Sequence, residues 1–535
     1  MDFACIVLFL AIYHLKPQEW TEIFSKIHFA QLVMFASIGA LFLRERSVQI
    51  RDFFRTPHDW AMFAFFGWVV IASPTPIDTF KEFLNRLVFY VVIVQTLTNW
   101  ERISKFMGWW TAMVVITAFL AVAGEYFWDP LGSRTITHGA MRERLILNLS
   151  MVNNPNALAH TLAPAFSMLY YFCIWKRPIV LKQVGIALLA LPLLAIYLTQ
   201  SKGGYFATAA VIMATLTFGR PKFMQVILLT VMIVGGTTAF YALPRMGELD
   251  KTKTDEAIQG RIRAFTAGKG YYDTYIRGVG QGQFITRLFK DEHYYKASHS
   301  TYVQTGAELG APGMFLFLLC MWCNFRTVLF AKTQTPEQER IRRLLFVLLL
   351  SFTLSGWMVD FAYRPTFFMF SAAVAAFHRH LYRIGVGEDD EDERASNSPA
   401  WRLAATRPRP TLPVMATAPA PASPAPTTAL PATALPRALP GPAPSPAPAP
   451  VPVAPVPAKA PPHRWAVQQT TTRLKPAALF WQKQDPTALA ATAAEPEEIE
   501  PPRRVWRRLG IIDIAMALAW TKATAMLWTY IIIHV

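Results

Sequence analysis

A chain of 535 residues that is 53% hydrophobic and only 16% charged is not a soluble globular protein; soluble domains keep charged residues at about a quarter of their composition. The formal net charge of +17 does not signal nucleic-acid binding. The basic residues sit largely in short loops between apolar stretches, where positive charge holds a loop in the cytoplasm.

The chain starts Met1-Asp2 and runs straight into Phe3–Leu15 with no basic lead, so this stretch is expected to be a first membrane span and not a cleavable signal. Further apolar stretches follow at 28–43, 59–73, 86–98, 105–124, 157–175, 180–198, 204–219, 224–243, 312–331, 343–360 and 365–383. Several fall short of the roughly 20 residues a helix needs to cross a bilayer, so their ends must extend into the loops. The fold class expected is an all-α polytopic membrane protein with about twelve transmembrane helices.

With the N-terminus in the cytoplasm, the inward loops carry Arg44, Arg46, Arg51 and Arg55, then Arg102 and Lys105, then Lys176, Arg177 and Lys182. Arg220 and Lys222 follow, and finally Arg326, Lys332, Arg340, Arg342 and Arg343. The short outward loops carry fewer basic residues, although Arg134, Arg142 and Arg144 in the loop at 125–156 weaken the contrast. The four cysteines, Cys5, Cys173, Cys320 and Cys323, all lie in apolar stretches and give no disulfide framework. Cys320-x-x-Cys323 has no second ligand pair and reads as helix packing, not as a metal or redox site.

Two regions break the apolar pattern. Residues 244–311 form a polar loop between the ninth and tenth spans, which this topology places in the periplasm; its Gly, Tyr and Arg content suggests order. Residues 384–509 open on the acidic run Glu388–Glu393 and continue rich in Pro and Ala. They are expected to be a disordered cytoplasmic linker, because little apolar surface is there to offset chain entropy. The basic residues Arg503, Arg504, Arg507 and Arg508 then precede 510–535, a membrane-associated segment that either spans or, because of Lys522 near its middle, lies in the interface. Residues 1–383 form the transmembrane domain in this division.

Three polar clusters share the outward face. Ser201-Lys202-Gly203-Gly204 places a cation beside two glycines, which suits close approach to an anionic group; the alternative is an interfacial lysine with a tight turn. Gly260-Arg261-Ile262-Arg263 offers guanidinium groups that match phosphate oxygens bidentately, or ordinary surface arginines. Gly278-x-Gly280-x-Gly282 lacks the strand and helix of a dinucleotide site and reads as a turn permitting close backbone contact. His299-Ser300-Thr301-Tyr302 brings a side chain able to accept a proton near neutral pH, or a structural histidine. Glu308, in Glu308-Leu309-Gly310-Ala311-Pro312-Gly313, either orients that histidine, caps a helix or faces water. Asp360 and Arg364 bracket a short outward turn, where they pair with each other or line the site.

The order Ser201-Lys202-Gly203-Gly204, Gly260-Arg261-Ile262-x-Ala264-Phe265, Gly278-x-Gly280-x-Gly282-Gln283-Phe284, His299-Ser300-x-Tyr302 and Glu308-Leu309-Gly310-x-x-Gly313 resembles the O-antigen ligase/polymerase superfamily. The similarity covers roughly residues 1–383 and is nearest to the O-glycosylation ligases associated with exosortase systems. It implies a multi-pass glycosyltransferase of the bacterial inner membrane, active on its periplasmic face. Such an enzyme moves a glycan from an undecaprenyl-pyrophosphate carrier to a glycan, lipid or protein acceptor, with neither metal nor other cofactor. By the same resemblance Arg261 contacts the pyrophosphate and His299 activates the acceptor hydroxyl. Lys202 stands where the family usually has arginine, keeping the charge and losing the bidentate fork. Arg263, Gly280, Tyr302, Glu308 and Arg364 complete the expected substrate-binding set. The rival readings are a repeat-unit polymerase with the same motifs, a lipid-linked glycan transporter, and a non-catalytic scaffold whose tail is the working part. No internal repeat of the transporter kind is evident.

Overall fold

The structure is a computed structural model and describes residues 2–43, 53–241, 243–244, 246, 256–382, 506 and 508–534. Arg44, Arg46 and Arg51, the acidic run, and nearly all of the expected linker at 384–509 lie outside the described residues, as do Arg503, Arg504 and Arg507.

The described chain is helical. The first helices are α1 (Asp2–Leu15), α2 (Phe29–Phe42), α3 (Pro57–Ala72), α4 (Pro76–Thr96), α5 (Trp100–Tyr126) and α6 (Ser133–His138). Next come α7 (Pro155–Ile174), α8 (Ile179–Thr199), α9 (Lys202–Thr217) and α10 (Lys222–Tyr241). The last are α11 (Glu256–Thr274), α12 (Phe284–Glu292), α13 (Thr301–Phe330), α14 (Pro336–Ser355), α15 (Pro365–Leu381) and α16 (Ile511–His534). Five of them, α5, α7, α8, α13 and α16, are long and apolar enough to cross a membrane. Several apolar helices of this kind in one chain mark an integral membrane protein.

Local chemistry sets the starts of these helices. Thr56 and Thr335 each form a capping box with a following proline at the first helical position, while Asn99, Ser201 and Ser300 accept from backbone amides of the first turn. Such caps move boundaries away from those suggested by hydropathy. The stretch expected at 86–98 begins at Pro76, because the first half of α4 is amphipathic and carries Asp78, Lys81 and Glu82. The stretch expected at 312–331 begins at Thr301, with a break at Gly310, whose φ of 65° no helix interior adopts.

The long helix α13 is the centre of the bundle and packs on α3, α11, α14, α15 and α16. Phe317 on α13 meets Phe65 on α3 and Phe367 on α15, at ring-centroid distances of 5.9 and 5.0 Å. At one end of the bundle lie α11 and α12, from the expected 244–311 loop, of which residues 245 and 247–255 lie outside the described residues. At the other end Asp59 is bound by Thr56, Tyr90 and Arg379. Helix α16 runs antiparallel along α13: Asp513 meets Trp322 and Arg326, and Trp528 packs beside Val303.

Candidate functional site at the loop end

At the loop end Gln200, left-handed at φ 48°, closes α8, and Ser201 caps α9. The Ser201 hydroxyl accepts from the Gly204 amide at 3.1 Å and donates to Asn156 Oδ1 at 2.7 Å. Lys202 therefore stands at the first position of a helix whose amide end is partly positive. The two glycines answer to packing against α7. A β-carbon at Gly203 would sit 3.1 Å from His160 Nε2, and one at Gly204 would overlap Ala159.

His160, which the sequence reading passed over, is buried. Its Nδ1 lies 2.8 Å from the Ser355 hydroxyl, and its Nε2 has no hydrogen-bond partner among the described residues. The available signal was a histidine one turn after Asn156 inside an apolar stretch, since ionisable residues there are rare and functional by default.

Arg261 and Arg263 lie on α11, and the helix separates them. Two residues advance a helix by about 200°, so both guanidinium groups cannot face one ligand. Arg263 turns outward, pairs with Glu292 at 2.8 Å and covers the Tyr294 ring. Arg261 turns toward the bundle, and its charge acts on both His160 and His299. The arginine near this histidine pair is thus Arg261 alone of the two.

His299 precedes the Ser300 cap of α13 and is held left-handed at φ 50°. Strain of this kind costs on the order of 1–3 kcal/mol and persists only where the surroundings enforce it. Asp360 is what enforces it. Its carboxylate accepts from the backbone amides of His299 at 3.2 Å and Ser300 at 2.8 Å, and from the Ser298 hydroxyl. Its Oδ2 lies 3.9 Å from His299 Nδ1, and the imidazole is 30% exposed. Burial pushes the His299 pKa below its ordinary 6.5; the Asp360 charge opposes this, while Arg261 and Lys296 reinforce it. The ring is therefore neutral at neutral pH and able to accept a proton. Lys296 is an addition to the expected site residues, while Asp360, expected to pair with Arg364 or line the site, lies beside His299.

Glu308 does not reach His299. It is buried and accepts from the Phe284 amide at 3.2 Å, serving the start of α12. Tyr302 is buried as well and donates to the Thr353 carbonyl at 2.9 Å. The glycine-rich turn makes its close backbone approach to α13: the Val279 and Gly280 amides donate to the Ala307 and Glu308 carbonyls, both at 2.9 Å. Gly278 and Gly310, at φ 70° and 65°, face each other so closely that a β-carbon on either would overlap backbone. Gly280 lies against Pro74.

Arg364 donates to the Asp360 and Met151 carbonyls at 3.3 and 2.6 Å, which places it behind the His299–Asp360 pair. It also borders a cavity of about 420 Å³ between α1, α4 and α15. Lys16, Arg86 and Glu82 lie toward the loop end of that cavity, and Phe9, Ile93 and Met369 lie deeper. Lys16 is paired with Glu19 and Arg86 with Glu82.

Residues 187–318 match the O-Antigen ligase family model. The matched stretch begins within α8 and ends within α13, so it contains Lys202, Arg261, His299 and the glycine-rich turn. Asp360, Arg364 and α16 lie beyond it. No curated protein matches the chain.

Proposed function

We propose that this protein transfers a glycan from an undecaprenyl-pyrophosphate carrier to an acceptor hydroxyl on the periplasmic face of the inner membrane, in the manner of an O-antigen ligase or O-oligosaccharyltransferase. The observation that carries the reading is a neutral, partly exposed histidine, fixed by Asp360 and adjoining the charge of Arg261, within the stretch that matches the ligase family.

Arg261 and Lys202 hold the pyrophosphate, and their charge stabilises it as it leaves. His299 takes the proton of the acceptor hydroxyl as that oxygen bonds to the anomeric carbon. The carbon–oxygen bond to phosphate breaks with its electron pair going to the pyrophosphate, and the anomeric configuration inverts. Asp360 stabilises the imidazolium that forms. The amphipathic cavity beside Arg364, polar above and apolar below, favours a substrate that is itself part lipid.

The test is complementation of a deletion strain with wild type and with His299→Ala at equal membrane levels. The expected result is that the variant accumulates carrier-linked glycan and loses acceptor-linked glycan. The chain length of the accumulated material separates this reading from a polymerase, because lost polymerisation leaves single repeats. Transfer by the variant at the wild-type rate would remove His299 as the base.

A further inference from the structure

Helix α11 shows two apolar stripes. Ala264, Ala267 and Tyr271 pack toward α12 and Ala307. Phe265, Gly268 and Tyr272 make up the second, at the spacing of one helix face, and its cover comes from α16. Trp528 of α16 is fully buried there, and its indole donates to the Phe265 carbonyl at 3.1 Å. Its ring lies 5.7 Å from that of Tyr272. Two glycines make the socket: β-carbons at Gly268 of α11 and Gly306 of α13 would come within 3.2 and 2.9 Å of the indole. Phe265 lies one helical turn beyond Arg261.

The other end of α16 is fixed just as firmly. Asp513 is completely buried and accepts from Trp322 at 3.1 Å, from Trp506 at 3.0 Å, from the Gly510 amide at 2.9 Å, and from Arg326. The Trp506 carbonyl accepts from His378 at 2.9 Å, and the Arg326 guanidinium lies over the Trp506 ring. An apolar segment serving only as an extra anchor would not need a carboxylate with four donors or an indole seated between two helices.

We propose that α16 is a positioning element for the donor site, with Trp528 the positioning residue that holds the Arg261 helix against α13. The proposal rests on the carrier reading above and deepens it: the pyrophosphate subsite is completed by a segment more than two hundred residues farther along the chain. Misplacing a guanidinium fork by even 1 Å is costly to a bidentate contact.

The experiment uses the full chain in lipid nanodiscs, with Trp528→Ala and Trp528→Phe beside wild type. Undecaprenyl pyrophosphate is the binding probe, and hydrogen exchange is followed across residues 256–274. Trp528→Ala is expected to weaken probe binding by about tenfold or more and to speed exchange around Arg261. Trp528→Phe, which keeps a ring in the socket, should recover most of the affinity. Unchanged probe affinity in Trp528→Ala overturns the proposal, whether or not exchange rises, and leaves α16 as an anchor. Unchanged exchange overturns it as well. A wild-type protein that ignores the probe, together with faster exchange in Trp528→Ala, contradicts the carrier reading and leaves the packing role of Trp528 standing.

Discussion

Charged side chains gather at both ends of the helix bundle, in opposite styles. Away from the loop, Asp59 is 1% exposed and takes hydrogen bonds from the Thr56 amide and hydroxyl, Tyr90 and Arg379, all within 3.0 Å. Nearby, His378 donates to the Trp506 carbonyl, Trp506 donates to Asp513, and His58 Nε2 lies 3.1 Å from the Cys323 carbonyl. At the loop end, His299 is strained and partly open, and its nearest carboxylate oxygen stands 3.9 Å from the ring. The first arrangement satisfies its charges and ends there. The second withholds satisfaction from a histidine and keeps it within reach of solvent, which is the condition for accepting a proton from something that arrives.

The sharpest way to break this contrast is to remove the base. His299→Ala is expected to lower transfer by about 10²–10⁴-fold, the range for general base catalysis, with no loss of folded protein in membranes. Asp59→Ala should do the reverse. Breaking the buried ion pair that Asp59 makes with Arg379 costs on the order of 3–5 kcal/mol of stability. That would be read as earlier thermal unfolding, while transfer per folded molecule stays near wild type.

Asp360→Asn sharpens the comparison through pH. With a lowered pKa, His299 is neutral at pH 7, and activity should fall only as pH drops below the ordinary imidazole value of 6.5. Asp360 raises that pKa, so its loss must move the acid limb to still lower pH, while the rate falls roughly 10- to 100-fold with the lost charge-assisted contact. A pH–rate profile of the variant checks both. The smallest effect belongs to Arg263→Gln, whose exposed pair with Glu292 should leave transfer within about threefold of wild type.

Much of the loop end was legible in the sequence. His299, Arg261 and Lys202 stand out because polar and glycine-rich motifs are conspicuous between apolar stretches. Asp360 was visible as a partner of Arg364 or a lining residue, but not as the partner of His299 and Ser300, since those bonds cross 61 and 60 residues. Arg263, expected in the substrate-binding set beside the pyrophosphate contact of Arg261, is turned away from it by the helix. Glu308 left three readings open, and its burial under the start of α12 selects the capping one. The other end was illegible, because Asp59, Arg379, His58 and His378 meet only when α3, α13 and α15 pack. Lys522 left open whether the last segment spans or lies in the interface; it is exposed on α16, while Asp513 and Trp528 carry the contacts.

The most direct measurement is reconstitution of the purified full chain with an undecaprenyl-pyrophosphate-linked glycan and a hydroxyl acceptor, following free undecaprenyl pyrophosphate and acceptor-linked glycan together. The two products should appear in equal amounts with wild type and in neither case with His299→Ala. Glycan transfer by His299→Ala at the wild-type rate, or acceptor product formed without release of the carrier, would contradict the account.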